Sequence, residues 1–103
     1  MRGDVYRLTA PRRTRGSEQA GPRYAVVVQS DLLPLSTWLV APTSRSARGA
    51  TFRPEVQVQG VTTRVLAEQT AAIDPERLGE HVGYLALTEM RQVDAALRLV
   101  LSL

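Results

Sequence analysis

The run Tyr24-Ala25-Val26-Val27-Val28-Gln29 is an almost unbroken apolar segment rich in valine, a β-branched residue. This composition predicts a strand that is buried on both faces. Upstream, apolar and polar residues alternate over residues 5–10, which predicts a first strand that ends at Pro11. The loop between them, residues 11–22, combines two Gly, two Pro and three Arg. Loops of about this length in compact domains commonly carry function.

The β pattern continues downstream of residue 29. Residues 30–34 predict a capped helical turn that Pro34 interrupts. Further strands are predicted over residues 37–41, 55–59 and 64–69, with a turn at Gly60. Five short strands within the first 69 residues predict a small barrel and therefore a mainly β fold.

The last third of the chain predicts a turn, a strand and a helix. Residues 74–79 begin with Asp-Pro and close with Gly, as a single helical turn does, and residues 82–85 return as a strand. An amphipathic helix that opens at Thr88 follows. Its apolar stripe recurs at three- and four-residue spacing and is expected to face the core. The stripe consists of Met90, Val93, Ala96, Leu97, Val100 and Leu101.

The composition indicates a packed, single-domain protein over residues 1–103, since hydrophobic residues make up 44% of the chain and charged ones 22%. Cysteine is absent, which excludes disulfides, thiolate metal sites and a cysteine nucleophile. Neither a signal peptide nor a membrane-spanning run of roughly 20 apolar residues is found. We therefore expect a cytoplasmic protein that does not associate with membranes.

Positive charge is concentrated in the first half of the chain. Residues 1–53 contain nine Arg and three acids, a balance of +6, whereas residues 54–103 contain four Arg and seven acids, a balance of −3. All thirteen basic residues are Arg. Guanidinium groups bind phosphate bidentately, so this distribution favours a polyanionic ligand.

Several kinds of catalytic site are disfavoured by the residues present. His81 is the only histidine, so one chain cannot supply the paired imidazoles of a histidine-based ribonuclease. A zinc ligand set is missing, and the ten carboxylates are scattered, which argues against a two-metal nuclease. We expect no metal and no cofactor. His81 is expected to be structural or merely exposed.

Two polar constellations remain as candidates. The loop segment 16–23 delivers Arg23 to the start of a buried strand, and residues 42–46 place Thr43 and Ser44 in a second polar loop, residues 42–50. They belong to a longer series of short motifs, which are Arg2-Gly3-Asp4-Val5-Tyr6, Gly16-Ser17-Glu18-Gln19 with Arg23, Thr43-Ser44, Glu68-Gln69, Ile73-Asp74, Arg77-Leu78, Val82-Gly83 and Val93-Asp94-Ala95-Ala96-Leu97. In order and spacing, these motifs resemble the MazF/PemK toxins of bacterial type II toxin-antitoxin modules, over Arg2 to Leu103.

The resemblance implies an SH3-like small barrel with a C-terminal helix, a homodimer, and metal-independent, sequence-specific cleavage of single-stranded RNA. The expected products carry a 2′,3′-cyclic phosphate and a 5′-hydroxyl. Arg23 and Thr43 match the catalytic pair, and Glu18 is a further candidate as base or as the group that orients Arg23. The expected substrate-binding residues are Ser17, Gln19, Ser44, Arg15, Arg45, Glu68 and Gln69, with Arg12, Arg13 and Arg48 as additional candidate phosphate contacts.

Three positions depart from the family pattern. Tyr24 follows the loop arginine where relatives usually have Pro, and Pro42 precedes Thr43 where they commonly have an aliphatic residue. Leu66 stands where some relatives carry an arginine two residues before the acid that matches Glu68, so that donor is either missing or supplied by Arg64.

Two other functions stay open at the level of sequence. Toxins of the same barrel fold can poison DNA gyrase by binding it, although their tail motif differs from the Leu101-Ser102-Leu103 ending here. The second open function is that of a non-catalytic barrel that only binds RNA or a protein. In the toxin interpretation the partner is a cognate antitoxin whose acidic, partly disordered tail covers the basic groove.

Overall fold

The computed structural model describes residues 1–8 and 23–103, and within them it contains seven strands and one α-helix. The strands are β1 (Asp4–Leu8), β2 (Tyr24–Val27), β3 (Trp38–Ser44), β4 (Glu55–Val58), β5 (Val61–Val65), β6 (Ala71–Ile73) and β7 (Leu78–Tyr84), and the helix is α1 (Leu87–Leu101). Two 3₁₀ turns lie at Ala67–Gln69 and Pro75–Arg77. The predicted mainly β fold with a C-terminal helix is confirmed.

The strands form one antiparallel sheet in the order β4-β5-β3-β2-β1-β7. The long strand β3 pairs with two strands along one edge. Trp38 to Val40 pair with β6, whereas Thr43 and Ser44 pair with β5. The two ends of the sheet, β4 and β7, approach each other. The register between β1 and β7 shifts twice, and such irregularities bend a sheet. The sheet therefore curls into a half-barrel, which agrees with the predicted small barrel.

Strand β2 is buried on both faces, as its sequence predicted. Tyr24 and Val26 point into the main core, together with Val56 and Val65 from the far side of the curl. Their neighbours Ala25 and Val27 face the opposite side, where Val40 and half-buried aromatic and aliphatic side chains cover them. The alternation of the strand thus supplies two hydrophobic clusters, and β2 is the element that separates them.

Helix α1 packs its central apolar stripe into the main core. Met90 and Val93 are buried there, Leu97 packs against the same cluster, and Ala96 is also buried. The predicted stripe is wrong at its end, because Val100 and Leu101 are exposed. Both residues lie in the last turn of the helix, where the described residues leave them uncovered.

Several element boundaries differ from those predicted. Residues 30–34 form a hydrogen-bonded turn without helix, in which the Ser30 hydroxyl accepts a hydrogen bond from the main-chain N–H of Leu32 at 3.1 Å. The fifth strand covers Val61–Val65 and not residues 64–69, because the chain bends at Leu66 into a 3₁₀ turn. The last strand begins at Leu78, and β6 was missed.

The hairpin between β4 and β5 confirms the predicted turn at Gly60. Gln59 and Gly60 both have positive φ, at 50° and 76°, which is the conformation of the two-residue turn that matches the twist of a β-hairpin. Further along, the Asp74 carboxylate accepts a hydrogen bond from the N–H of Glu76 at 2.9 Å and caps the predicted helical turn. In the described residues, no helix combines the length and apolarity needed to cross a membrane.

Candidate active site

A groove of about 330 Å³ lies where β2 begins and β3 ends. This volume is at the lower end of the range of small-ligand pockets. The residues that line it are Arg23, Ser44, Ser46, Ala47, Arg53, Leu66 and Gln69. Two guanidinium groups and two hydroxyl residues therefore share one open hollow, an arrangement suited to a phosphate-bearing ligand.

Arg23 is held at the mouth of the groove by its main chain and by one side-chain nitrogen. Its carbonyl accepts a hydrogen bond from the N–H of Leu8 at 2.9 Å, which fixes its backbone beside β1. Its Nε lies 3.4 Å from the carbonyl oxygen of Thr43, to which it donates. Among the described residues, no acceptor is found for hydrogen bonds from its two terminal nitrogens.

Thr43 lies next to Arg23, but its side chain does not line the groove. The side chain is only 1% exposed, and its hydroxyl accepts a hydrogen bond from the N–H of Tyr24 at 3.2 Å. Successive residues of a strand face opposite sides, so Thr43 points inward while Ser44 lines the groove. The structure therefore brings Arg23 and Thr43 together through the Thr43 main-chain carbonyl.

Another part of the groove wall is supplied by Arg53, which forms an ion pair with Glu68. The Nε and Nη2 of Arg53 both donate to Oε2 of Glu68, at 2.9 and 2.6 Å. The other oxygen, Oε1, is buried without a hydrogen-bond partner among the described residues. Burial alone raises the pKa of Glu68, but hydrogen bonds from Arg53 and from its own main chain, together with the Arg53 charge, outweigh it. The pKa of Glu68 is consequently lowered, and the group is a carboxylate at neutral pH.

The candidate residues predicted from sequence fall into three groups. Arg23, Ser44 and Gln69 line the groove, and Glu68 reaches it through Arg53. Thr43 is adjacent and buried, and Arg45 and Arg48 are exposed outside the groove lining. The others lie outside the described residues, namely Glu18, Ser17, Gln19, Arg15, Arg12 and Arg13.

Sequence reasoning missed Arg53 and Ser46 as groove residues. It also offered Arg64 as a substitute donor beside Glu68, and the structure corrects this. Arg64 donates to the carbonyl of Arg53 at 3.0 Å and pairs with Glu55 at 3.5 Å, so its guanidinium supports the β4 side of the sheet. No signal in the sequence singled out Arg53, because Arg64 is nearer to Glu68 along the chain than Arg53 is.

Other titratable groups of the described chain lie outside this hollow. His81 is on β7, with its Nε2 at 3.5 Å from Asp4 and its ring against Tyr6. Burial, and to a lesser degree the Asp4 charge, raises the pKa of Tyr6. Residues 1–8 and 23–103 contain no group of three His, Cys, Asp or Glu side chains placed to hold a metal ion.

Comparisons with known proteins extend the likeness to the whole chain. Residues 1–101 match the family described as PemK-like, MazF-like toxin of type II toxin-antitoxin system. A candidate toxin of Mycobacterium tuberculosis, Rv3098A, is 42% identical over 104 residues, covering 100% of this chain and 98% of that protein.

Solved structures share the same fold. An endoribonuclease in complex with its cognate antitoxin, from a mycobacterial species, superposes with a TM-score of 0.80 at 19% identity, covering 100% of this chain and 95% of that one. The Mycobacterium tuberculosis toxin MazF-mt6 gives a TM-score of 0.75 at 18% identity, covering 99% and 98%. At these identities the structural likeness concerns the fold.

Proposed function

The chain belongs to the PemK-like, MazF-like family of toxins from type II toxin-antitoxin systems, and we propose that it is an endoribonuclease that cuts single-stranded RNA in the groove beside Arg23. The observation that carries the proposal is the position of the Arg23 guanidinium, anchored through Nε and facing a hollow that a second guanidinium also lines. The endoribonucleases among the solved structures of this fold support it.

The proposed reaction is attack of a ribose 2′-hydroxyl on the adjacent phosphate. The 2′-hydroxyl gives its proton to a base and its oxygen forms a bond to phosphorus. The bond to the 5′-oxygen breaks and that oxygen takes up a proton, which leaves a 2′,3′-cyclic phosphate and a 5′-hydroxyl. Negative charge develops on the phosphoryl oxygens, and Arg23 stabilises it. A guanidinium remains protonated at any ordinary pH, so its main contribution is electrostatic. Neither a metal nor a cofactor is needed for this chemistry.

The remaining site residues have supporting roles in this proposal. Thr43 fixes Arg23 through its carbonyl and fixes the start of β2 through its hydroxyl. Whether that hydroxyl also contacts the phosphate, as the family resemblance implies, is a prediction that a pair of variants can test. Glu18 stays a candidate for the general base or for the group that orients Arg23, and Ser44 and Gln69 for contacts with the RNA.

Arg23→Ala is the decisive variant. We expect cleavage of a long synthetic RNA to fall by at least about 10² to 10³, because one charge-stabilising donor is lost. The matched control is Arg91→Ala, which removes the same charge from an exposed position on α1 and should cleave as the wild type does. Circular dichroism spectra of both variants should overlay that of the wild type. Cleavage by a folded Arg23→Ala protein at near wild-type rate contradicts the site.

Two further assays define the reaction class. Activity should persist in a chelator, and replacing the attacking nucleotide by its 2′-deoxy form should abolish cleavage at that site. Loss of activity in the chelator, or cleavage of DNA, would sink the proposed mechanism. A gyrase supercoiling assay run with the same protein should show no inhibition, since an inhibitory result without RNA cleavage points to the other class of barrel toxin.

We also propose two protein partners. A cognate antitoxin is expected to carry an acidic segment that occupies the groove beside Arg23 and Arg53 and competes with RNA. The toxin itself is expected to be a homodimer, so its melting temperature should rise with protein concentration. An unchanged melting temperature, together with a monomeric mass by light scattering, would contradict the dimer.

A further inference from the structure

The ion pair between Arg53 and Glu68 has no counterpart in the catalytic scheme described above. It nevertheless forms a wall of the same groove, and it joins segments that are distant in sequence. Glu68 belongs to the 3₁₀ turn after β5, whereas Arg53 lies in the loop before β4. Side chains of both residues are about one quarter exposed, at 25% and 26%, so the pair is partly desolvated but open to a ligand.

The guanidinium of Arg53 is fixed on more than one side. Its Nε and Nη2 edge is occupied by Glu68, and Nη1 lies 3.4 Å from the carbonyl oxygen of Arg48. The Phe52 ring lies beneath it, with its centroid 5.3 Å from Cζ. In addition, the Arg53 carbonyl accepts a hydrogen bond from Arg64. These contacts already restrict the rotamers of Arg53, so less side-chain conformational entropy is lost when it binds a ligand.

The edge used by Glu68 decides which donors are left. The Glu68 carboxylate accepts from Nε and from one N–H of Nη2, and Nη1 donates one of its two N–H groups to the Arg48 carbonyl. One N–H on Nη1 and one on Nη2 therefore have no acceptor among the described residues. Donors of this kind match a phosphate, which guanidinium groups bind with more than one N–H. Since Arg53 lines the groove together with Arg23, both guanidinium groups are within reach of an RNA strand that lies in this hollow.

We infer that Arg53 is a second phosphate-binding group of the groove, which holds a phosphate next to the scissile one, and that Glu68 is the positioning residue that orients it. This inference rests on the proposed function, because it assumes an RNA strand in the groove. In this inference, Arg53 takes the place of the arginine that some relatives carry at the position of Leu66, although Arg53 comes from a different segment of the chain. Leu66 carries no charge, and Arg53 is the cation among the described residues that pairs with Glu68.

Glu68 is poorly suited to act as the general base itself. Its Oε2 accepts two hydrogen bonds from Arg53, and its other oxygen is buried. The pKa of this carboxyl lies below its ordinary value, and a base of lowered pKa accepts a proton weakly at neutral pH. Its contribution is therefore expected to run through Arg53.

The first test compares Arg53→Ala, Arg53→Lys and the matched control Arg91→Ala. For Arg53→Ala we expect KM to rise at least about tenfold with a smaller fall in kcat, because a charge-assisted phosphate contact is lost. The slope of log KM against log salt should also fall by about 0.7, the value for one phosphate contact on a single strand. Arg53→Lys should keep that slope but recover only part of the KM, since it keeps the charge and loses the two guanidinium N–H donors.

The second test is a double-mutant cycle with Glu68→Gln. In the wild-type background this variant should raise KM several-fold and leave the acidic limb of the pH profile of kcat unchanged. In the Arg53→Ala background it should have almost no effect, because its partner is gone. An equal effect in both backgrounds, or a kcat that falls at least a hundredfold with loss of the acidic limb, overturns the positioning role.

Binding to an uncleavable strand separates this inference from the proposed function. The ligand is an RNA oligonucleotide in which hydrogen replaces the attacking 2′-hydroxyl, and Arg53→Ala should bind it at least about tenfold more weakly than Arg91→Ala. Equal binding overturns the inference even when the wild type cuts RNA. If the wild type binds RNA without cutting it, the proposed function fails, and the same comparison with unmodified RNA judges Arg53. If the wild type does neither, both proposals fall.

Discussion

At the scale of single residues, Thr43 presents a conflict between its expected role and its environment. A side chain in contact with a phosphate should be accessible, whereas the Thr43 hydroxyl is buried and accepts a hydrogen bond from the N–H of Tyr24. We therefore predict that Thr43→Val destabilises the protein by about 1 to 3 kcal/mol, because it leaves a buried N–H without an acceptor. Thr43→Ser keeps the acceptor and should lose only about 1 kcal/mol for the missing methyl group. Urea unfolding measures both changes.

The activities of the same two variants show whether the Thr43 hydroxyl has a structural role or contacts the phosphate. If Thr43 acts by fixing Arg23 and Tyr24, folded Thr43→Val should retain cleavage within about tenfold of Thr43→Ser at a temperature where both are fully folded. A loss of about a hundredfold or more in Thr43→Val alone would mean that the hydroxyl meets the reacting phosphate, as the loss of an electrostatic donor does.

The groove could be predicted from sequence only in part, and Arg53 shows why. Arg23, Ser44 and Gln69 stand in motifs whose spacing matches a family, so their convergence was expected. Arg53 belongs to no motif, and it reaches the groove because a loop returns toward the turn that carries Glu68. Partners of that kind are 15 residues apart in the chain and meet only through tertiary packing.

At the scale of elements, the end of β3 illustrates the limits of turn rules. The sequence predicted a strand over residues 37–41 and a polar loop from Pro42, a residue without an N–H. In the structure β3 continues to Ser44, because Pro42 opposes Ala25 of β2 and its carbonyl accepts a hydrogen bond from Leu66 at 2.8 Å. This contact uses the carbonyl of Pro42, so the missing N–H does not end the strand. The apolar patterns of β2 and of the helix centre were predicted correctly because burial enforces them.

The start of α1 supplies a prediction at the same scale. The expected cap Thr88 lies inside the first turn, and the helix begins after Ala86, which has no side-chain acceptor. Glu89 supplies the acceptor instead. Its Oε1 accepts a hydrogen bond from the N–H of Ala86 at 2.9 Å, and its Oε2 accepts one from the N–H of Gln57 at 2.8 Å. One carboxylate thus joins the helix start to β4.

We expect Glu89→Ala to lower the free energy of unfolding by about 1 to 2 kcal/mol, since both main-chain donors lose their acceptor at an exposed position. Glu89→Gln should lose less, because its side-chain oxygen can still accept one of the two hydrogen bonds. Neither variant should change KM for RNA, as Glu89 does not line the groove. A Glu89→Ala protein as stable as the wild type would contradict this account of the helix start.

At the scale of the whole molecule, the helix and the sheet share one hydrophobic cluster. Met90 and Val93 of α1 are buried against valines from both halves of the curled sheet, including Val26 and Val56. The groove is built on the same frame, because Arg23 directly precedes β2 and Ser44 ends β3. Loss of the helix would open the core from which these strands gain their stability, so the site and the core are expected to fail together.

This shared core predicts a single cooperative unfolding transition, and the lone tryptophan allows it to be tested. Trp38 lies in β3 against Tyr6, with ring centroids 5.8 Å apart, so its fluorescence reports on the sheet, whereas ellipticity at 222 nm reports mainly on α1. Because neither element retains its core without the other, the two melting curves should coincide at one protein concentration. Helix loss that precedes the fluorescence transition by several degrees would show that α1 is a peripheral addition, and that the groove can persist without it.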